Sequence, residues 1–104
     1  MAFDALDAAV KLAGQLQGPL ARLKVVSREL ADQAGRAAIS VALNLSEGRG
    51  RAGGDRVQFF RIAQGSAQEL RTALMLGRAL GIGGLDDAEA TLDRVCAMTW
   101  RLTH

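Results

Sequence analysis

One proline in 104 residues, at position 19, is the feature that most narrows what this chain can become. Proline lacks the backbone N–H and clashes with the preceding turn of a helix, so its near-absence leaves almost the entire length free to be helical. Strands would require runs of β-branched and aromatic residues, and no such pattern occurs. Tyr is absent, Phe and Trp total four, and the 49% of hydrophobic residues are mostly Ala, Leu and Val. That mixture predicts an all-α fold with a core packed from small side chains. The length suits one domain spanning 1–104 and leaves no room for a second.

Glycines divide the helical permission into segments. Asp4 is placed to cap a first helix over about 4–17, with Phe3 before it and Leu6, Val10 and Ala13 at helical spacing. Gly18 and Pro19 then suit the end of one helix and the first turn of the next, giving a second over about 20–47. Gly48, Gly50, Gly53 and Gly54 interrupt the chain, and Asp55 with Gln58 forms a capping-box pattern for a third helix over about 55–80. Gly81, Gly83 and Gly84 end it, and Asp86 with Glu89 repeats the pattern for a fourth over about 86–103. Short connections between long helices predict an antiparallel, up-down-up-down four-helix bundle.

In the third helix, Phe59, Ala63, Ser66, Leu70, Ala73, Gly77 and Leu80 alternate steps of four and three, a heptad seam facing other helices. Arg61, Gln64, Gln68, Arg71 and Arg78 lie opposite and are expected to meet solvent or a partner. Glu69 falls between Ile62 and Leu76, on an apolar flank. The second helix is apolar nearly all round over 37–45, which normally means burial on every side. Within it Gln33, Arg36, Ser40, Asn44 and Glu47 form a narrow polar stripe. An interior stripe must pair internally, so a buried structural network joining it to Ser66 and Glu69 is expected. A catalytic Glu47–Glu69 acid pair is the alternative, but no nucleophile, metal ligand or convergent histidine accompanies it, and no catalytic residue is assigned. Two apolar faces on one helix leave surface over after the bundle closes, which self-association would bury.

Formal net charge is only +2, from eleven Arg and two Lys against 11 carboxylates, with a pI of about 9.3. Its distribution is uneven. Arg49, Arg51, Arg56, Arg61, Arg71 and Arg78 face only Asp55 and Glu69 within 49–78, while Asp86, Asp87, Glu89 and Asp93 lie in a segment without a cation. Such a basic stretch can attract the phosphates of RNA or DNA, and a solvated Arg-rich helix face is the alternative. The Gly48–Arg51 stretch lacks the preceding strand and following Gly-Lys-Ser/Thr of a nucleotide loop. One cysteine, Cys96, and one terminal histidine, His104, imply neither a disulfide nor a metal site, and no cofactor is indicated. No basic-then-apolar leader and no run of roughly 18 apolar residues is present, so no membrane association and a cytoplasmic location are expected.

Two segments carry a resemblance. Gln33 to Gly48, QAGRAAISVALNLSEG, and Phe60 to Leu70, FRIAQGSAQEL, resemble the bacterial four helix bundle protein family, which includes the intervening-sequence proteins encoded within large-subunit ribosomal RNA genes. The family pattern falls on Gln33, Arg36, Ala37, Ser40, Asn44 and Glu47-Gly48, then on Ala63, Gly65, Ser66 and Glu69. Gly35 stands at the first of its two basic positions and Ser46 replaces the usual Ala. The resemblance implies ring-shaped homopentamers. A related branch comprises the accessory proteins of diversity-generating retroelements, in which a basic pentamer binds a reverse transcriptase and nucleic acid. The expectation is therefore a non-enzymatic oligomeric scaffold associated with RNA or DNA, with the six arginines as candidate contacts. A protein-only oligomeric adaptor is the alternative.

Overall fold

The computed structural model describes residues 3–104. It is all-α, with five helices: α1 (Asp4–Gln15), α2 (Gln17–Val26), α3 (Arg28–Arg49), α4 (Gly53–Ala79) and α5 (Asp86–Thr103). At 1.5 Å per residue the 27 residues of α4 extend about 40 Å, which accounts for the 42 Å long axis of the molecule. None of the helices among the described residues is long and apolar enough to cross a membrane.

Five helices appear where the glycine and proline signals predict four, and Pro19 explains the difference. Its ring and missing N–H disturb the helix one turn earlier, at the carbonyl of Gln15, so α1 ends there and α2 starts at Gln17. Leu16, between them, keeps helical backbone angles, accepts from Leu20 N–H at 2.8 Å and donates to Leu12 C=O at 3.0 Å. Proline thus breaks the ladder without reversing the chain. The reversal comes at Ser27, which is extended and whose hydroxyl accepts from Leu30 N–H at 3.2 Å. Ser27 is the N-cap of α3, and the helix predicted over 20–47 is really the end of α2 followed by α3.

The other predicted caps are also displaced. Phe3, Ala52 and Leu85 occupy the cap positions of α1, α4 and α5, none with a side-chain cap bond, and Asp4, Asp55 and Asp86 sit one to three residues inside. Their carboxylates still favour the positive end of the helix dipole. At the end of α4 the glycine signal is literal. Gly81 has φ +90, Ile82 N–H bonds to Gly77 C=O at 3.0 Å and Gly81 N–H bonds to Arg78 C=O at 3.0 Å, a Schellman closure with Ile82 buried. The turn that follows is tied to α2 by Arg22, whose guanidinium donates to Gly83 C=O at 2.8 Å.

Helices α3 and α4 lie antiparallel along most of their length, with Ser40 opposite Ser66 and Gly48 opposite Phe59 and Phe60. Small residues permit the approach: Ala34, Ala37, Ala38, Ala63 and Ala67 are all buried. Helix α5 packs on α4, α1 fits between α5 and α3, and α2 continues along α3. Leu12, Leu16, Leu23, Val41, Leu45, Leu70, Leu74, Leu92 and Val95 fill the enclosed centre, with Phe60 tilted against Phe3 at 5.9 Å. Everything added to the α3–α4 pair is added on one side.

The tightest point of the α3–α4 contact is Gly48, where a Cβ would stand 2.7 Å from the buried Phe60 ring and 3.2 Å from Phe59 Cβ. Gly48→Ala should force Phe60 out of position and cost about 1–3 kcal/mol. Gly14→Ala, in α1 with open space around it, should instead be neutral or stabilising by up to about 1 kcal/mol. Thermal denaturation of the two variants separates these outcomes.

Candidate functional site

The polar stripe predicted to be interior is largely at the surface. Gln33, Arg36 and Glu47 on α3 and Glu69 on α4 are exposed, and only Ser40, Asn44 and Ser66 are half-buried. The core takes the Ala37–Val41 side of α3, so the stripe runs along the rim of the α3–α4 contact instead of inside it. Charged side chains there keep their hydration and need no internal partner.

The three half-buried residues do meet. Ser40 Oγ and Ser66 Oγ are 2.7 Å apart, and Asn44 Nδ2 donates to Ser40 C=O at 2.8 Å and to Ser40 Oγ at 3.1 Å. This cluster fixes the register of α3 on α4. Glu47 is elsewhere: it pairs with Arg51 at 3.2 Å near the interhelical connection. Its level on α4 is that of Phe59, ten residues from Glu69, or about 15 Å along the axis. Glu47 and Glu69 therefore do not form a carboxylate pair.

The seam on α4 is likewise rotated from its predicted direction. Ala63, Leu70, Ala73 and Gly77 are buried as the heptad pattern requires, but Phe60, Ala67 and Leu74 are buried too and Leu80 is exposed. Helix α5 draws the core face towards the side carrying Gln64, Arg71 and Arg78. Gln64 accepts from Thr103 Oγ1 at 3.0 Å, and Arg71 pairs with Asp93 at 2.8 Å. The face expected to meet solvent is thus partly a seam with α5.

That rotation uncovers another surface. Ile39 and Leu43 on α3, with Ile62, Leu76 and Leu80 on α4, are between 41% and 64% exposed. At 100° per residue the α3 pair lies on the side of Ser40 away from the core, and the α4 trio lies on the corresponding side of Ser66. In antiparallel helices these are the same side, so the five side chains share one outer face. It continues at one end into a groove of about 390 Å³ lined by Ser27, Glu29, Leu30, Gln33, Leu76, Ala79 and Leu80. The apolar flank around Glu69 marks Ile62 and Leu76, the heptad spacing marks Leu80, and the all-round apolarity of 37–45 marks the pair on α3. What sequence alone did not reveal is that they converge.

The six arginines do not form one face. Arg49, Arg51 and Arg56 cluster where α3 passes into α4, Arg71 and Arg78 lie against α5, and Arg61 stands alone on the back of α4. Most have intramolecular partners. Arg51 bridges Glu47 and Asp55, at 3.2 and 2.9 Å, and hydrogen bonds first to Glu47 and then to Asp55 raise its pKa above the ordinary arginine value. Arg56 donates to the carbonyls of Arg51 and Arg49 at 2.8 and 3.4 Å, closing the end of α3. Arg78 pairs with Glu89 and with Asp86 at 3.0 Å, and these contacts, Glu89 foremost, likewise raise its pKa. The predicted acidic segment therefore neutralises the predicted basic one along the α4–α5 contact. Arg49 lies over the Phe3 ring at 5.9 Å. Among the described residues, Arg49, Arg56 and Arg61 have no carboxylate within 4 Å.

The family profile of the 23S rRNA-intervening sequence protein matches residues 5–103, nearly the whole chain, and the protein belongs to that family. No curated protein and no solved structure is significantly similar to it.

The register cluster gives a graded expectation. Ser66→Ala removes one hydrogen bond but leaves Ser40 bonded to Asn44, and should cost about 0.5–1.5 kcal/mol. Glu69→Gln, at an exposed position, should leave the unfolding free energy of the isolated chain within about 0.5 kcal/mol of the parent. Urea titrations of both variants test the rim placement, since a buried stripe would make the second change costly.

Proposed function

We propose that this member of the 23S rRNA-intervening sequence protein family is a non-enzymatic scaffold that assembles from identical copies and associates with nucleic acid. The observation that carries the reading is the outer α3–α4 face, where five large aliphatic side chains stand exposed while alanines occupy much of the interior. An apolar patch of this kind marks an interaction site. The likeness to ring-forming proteins noted from the two sequence motifs makes a closed ring, and five subunits, the stoichiometry of choice. Light scattering tests it: a mass of five 11.0 kDa subunits supports the ring, and a monomer at micromolar concentration overturns the scaffold.

The family's description ties it to ribosomal RNA sequences, and RNA or DNA is accordingly the proposed ligand, with a reverse transcriptase as a protein partner by analogy with retroelement accessory proteins. Arg49 and Arg61 are the preferred phosphate contacts because their side chains carry neither an ion pair nor a backbone hydrogen bond, whereas Arg51, Arg71 and Arg78 would have to leave a carboxylate and Arg56 the carbonyls it closes. Repetition around a ring would multiply their field. Binding of structured RNA should weaken steeply as salt rises, and replacing Arg49 and Arg61 by Gln should flatten the log–log slope by about one unit per lost phosphate contact. The same ion pairs favour a second reading, a protein-only adaptor, which predicts no binding in a filter assay even at low salt.

A further inference from the structure

The outer α3–α4 face carries two opposite charges at its centre. On α3, Arg36 lies one turn before Ser40, among Ile39 and Leu43. On α4, Glu69 lies between Ile62 and Leu76, one turn beyond Ser66. Because Ser40 and Ser66 are in contact in an antiparallel pair, Arg36 and Glu69 sit at the same level, on either side of the seam and pointing out of it. Both are exposed, and neither forms an ion pair within 4 Å among the described residues. Arg71 and Arg78 on α4 find a carboxylate in the chain; Arg36 and Glu69, within reach of the same apolar patch, do not.

We infer that Arg36 of one copy pairs with Glu69 of a neighbouring copy, and that this pair sets the register of the self-association face. The chemistry is complementary head to tail: the α3 side of the face offers the cation and the α4 side the anion, so laying α3 of one copy along α4 of the next brings opposite charges together and lets the contacts close into a ring. Burying either charge unpaired beneath Ile39, Leu43, Ile62 and Leu76 would oppose association, whereas pairing them satisfies both. The ion pair thereby rejects apolar surfaces that lack the matching charge and rejects copies docked out of register. This inference rests on the self-association proposed above.

Charge reversal tests it. Arg36→Glu and Glu69→Arg are changes at exposed positions and should leave the helical circular-dichroism signal intact. Each alone places like charges at the contact and should weaken association at least about tenfold, shifting the mass towards 11.0 kDa. Mixing the two single variants should restore association at every contact between unlike copies, because the glutamate introduced at 36 in one meets the arginine introduced at 69 in the other. A pair formed within one chain cannot be rescued by mixing. Wild-type protein that is itself monomeric overturns the scaffold reading and this inference together. An oligomeric wild type with single variants that associate unchanged, or with a mixture no better than either variant alone, overturns the pair while leaving the scaffold standing.

Discussion

The close approach of α3 to α4 governs the rest of the molecule. Gly48 leaves no room for a methyl group against Phe60, Ser40 and Ser66 touch through their hydroxyls, and alanines are prominent among the buried residues of both helices. Two helices of 22 and 27 residues held this way form a rigid plank about as long as the protein. Its register is set by short-range contacts at two separate levels, the serine cluster and the glycine, so a slip of one turn would break both. Helices α1, α2 and α5 complete the core by packing on one side of the plank, and that asymmetry creates the exposed face on the other.

The interior is therefore built from alanine to an unusual degree, with leucines and valines filling the centre where the helices diverge. Larger aliphatic residues, Ile39, Leu43 and Ile62 among them, are found outside. An alanine contributes little transfer free energy per residue, since hydrophobic stabilisation follows the apolar area removed from water. The plank gains instead from the shortened distance between helix backbones, which multiplies weak dispersion contacts. A hydropathy ranking of positions would place Ile39 and Leu43 in the core and Ala37 and Ala38 on its edge. Geometry reverses that order.

Helix type and the limits of α5 were legible in the sequence because they depend on local chemistry: the dearth of proline, the glycine clusters and the closing turn at Gly81. The chain reversal at Ser27 was not, although a serine followed by Glu29 in a first turn was a usable signal, because Gly18-Pro19 advertised a stronger stop that the backbone absorbed at Leu16. The polar stripe and the α4 seam are visible as patterns, but the direction each one faces is not. Periodicity tells which residues share a face. In a segment such as 37–45, apolar all round, it does not tell which face is covered, and the answer came from where α5 and α1 sit. The arginines illustrate a similar gap: their number was evident, but their partners, Asp86, Glu89 and Asp93, approach only when α5 folds back on α4.

The connection between α3 and α4 spans only Gly50–Ala52, and its length has a kinetic meaning. Closing so short a loop costs little chain entropy, and the helices it joins can pair outward from that turn one level at a time, so the hairpin can form before the rest of the chain is organised. The contact of α1 with α5 is the opposite case, since it joins segments separated by nearly the whole sequence. The order of assembly that follows has the plank first, α5 next, and the N-terminal helix last. By the same reasoning, the N-terminal segment opens before the plank in native-state fluctuations, and amide exchange would register that order.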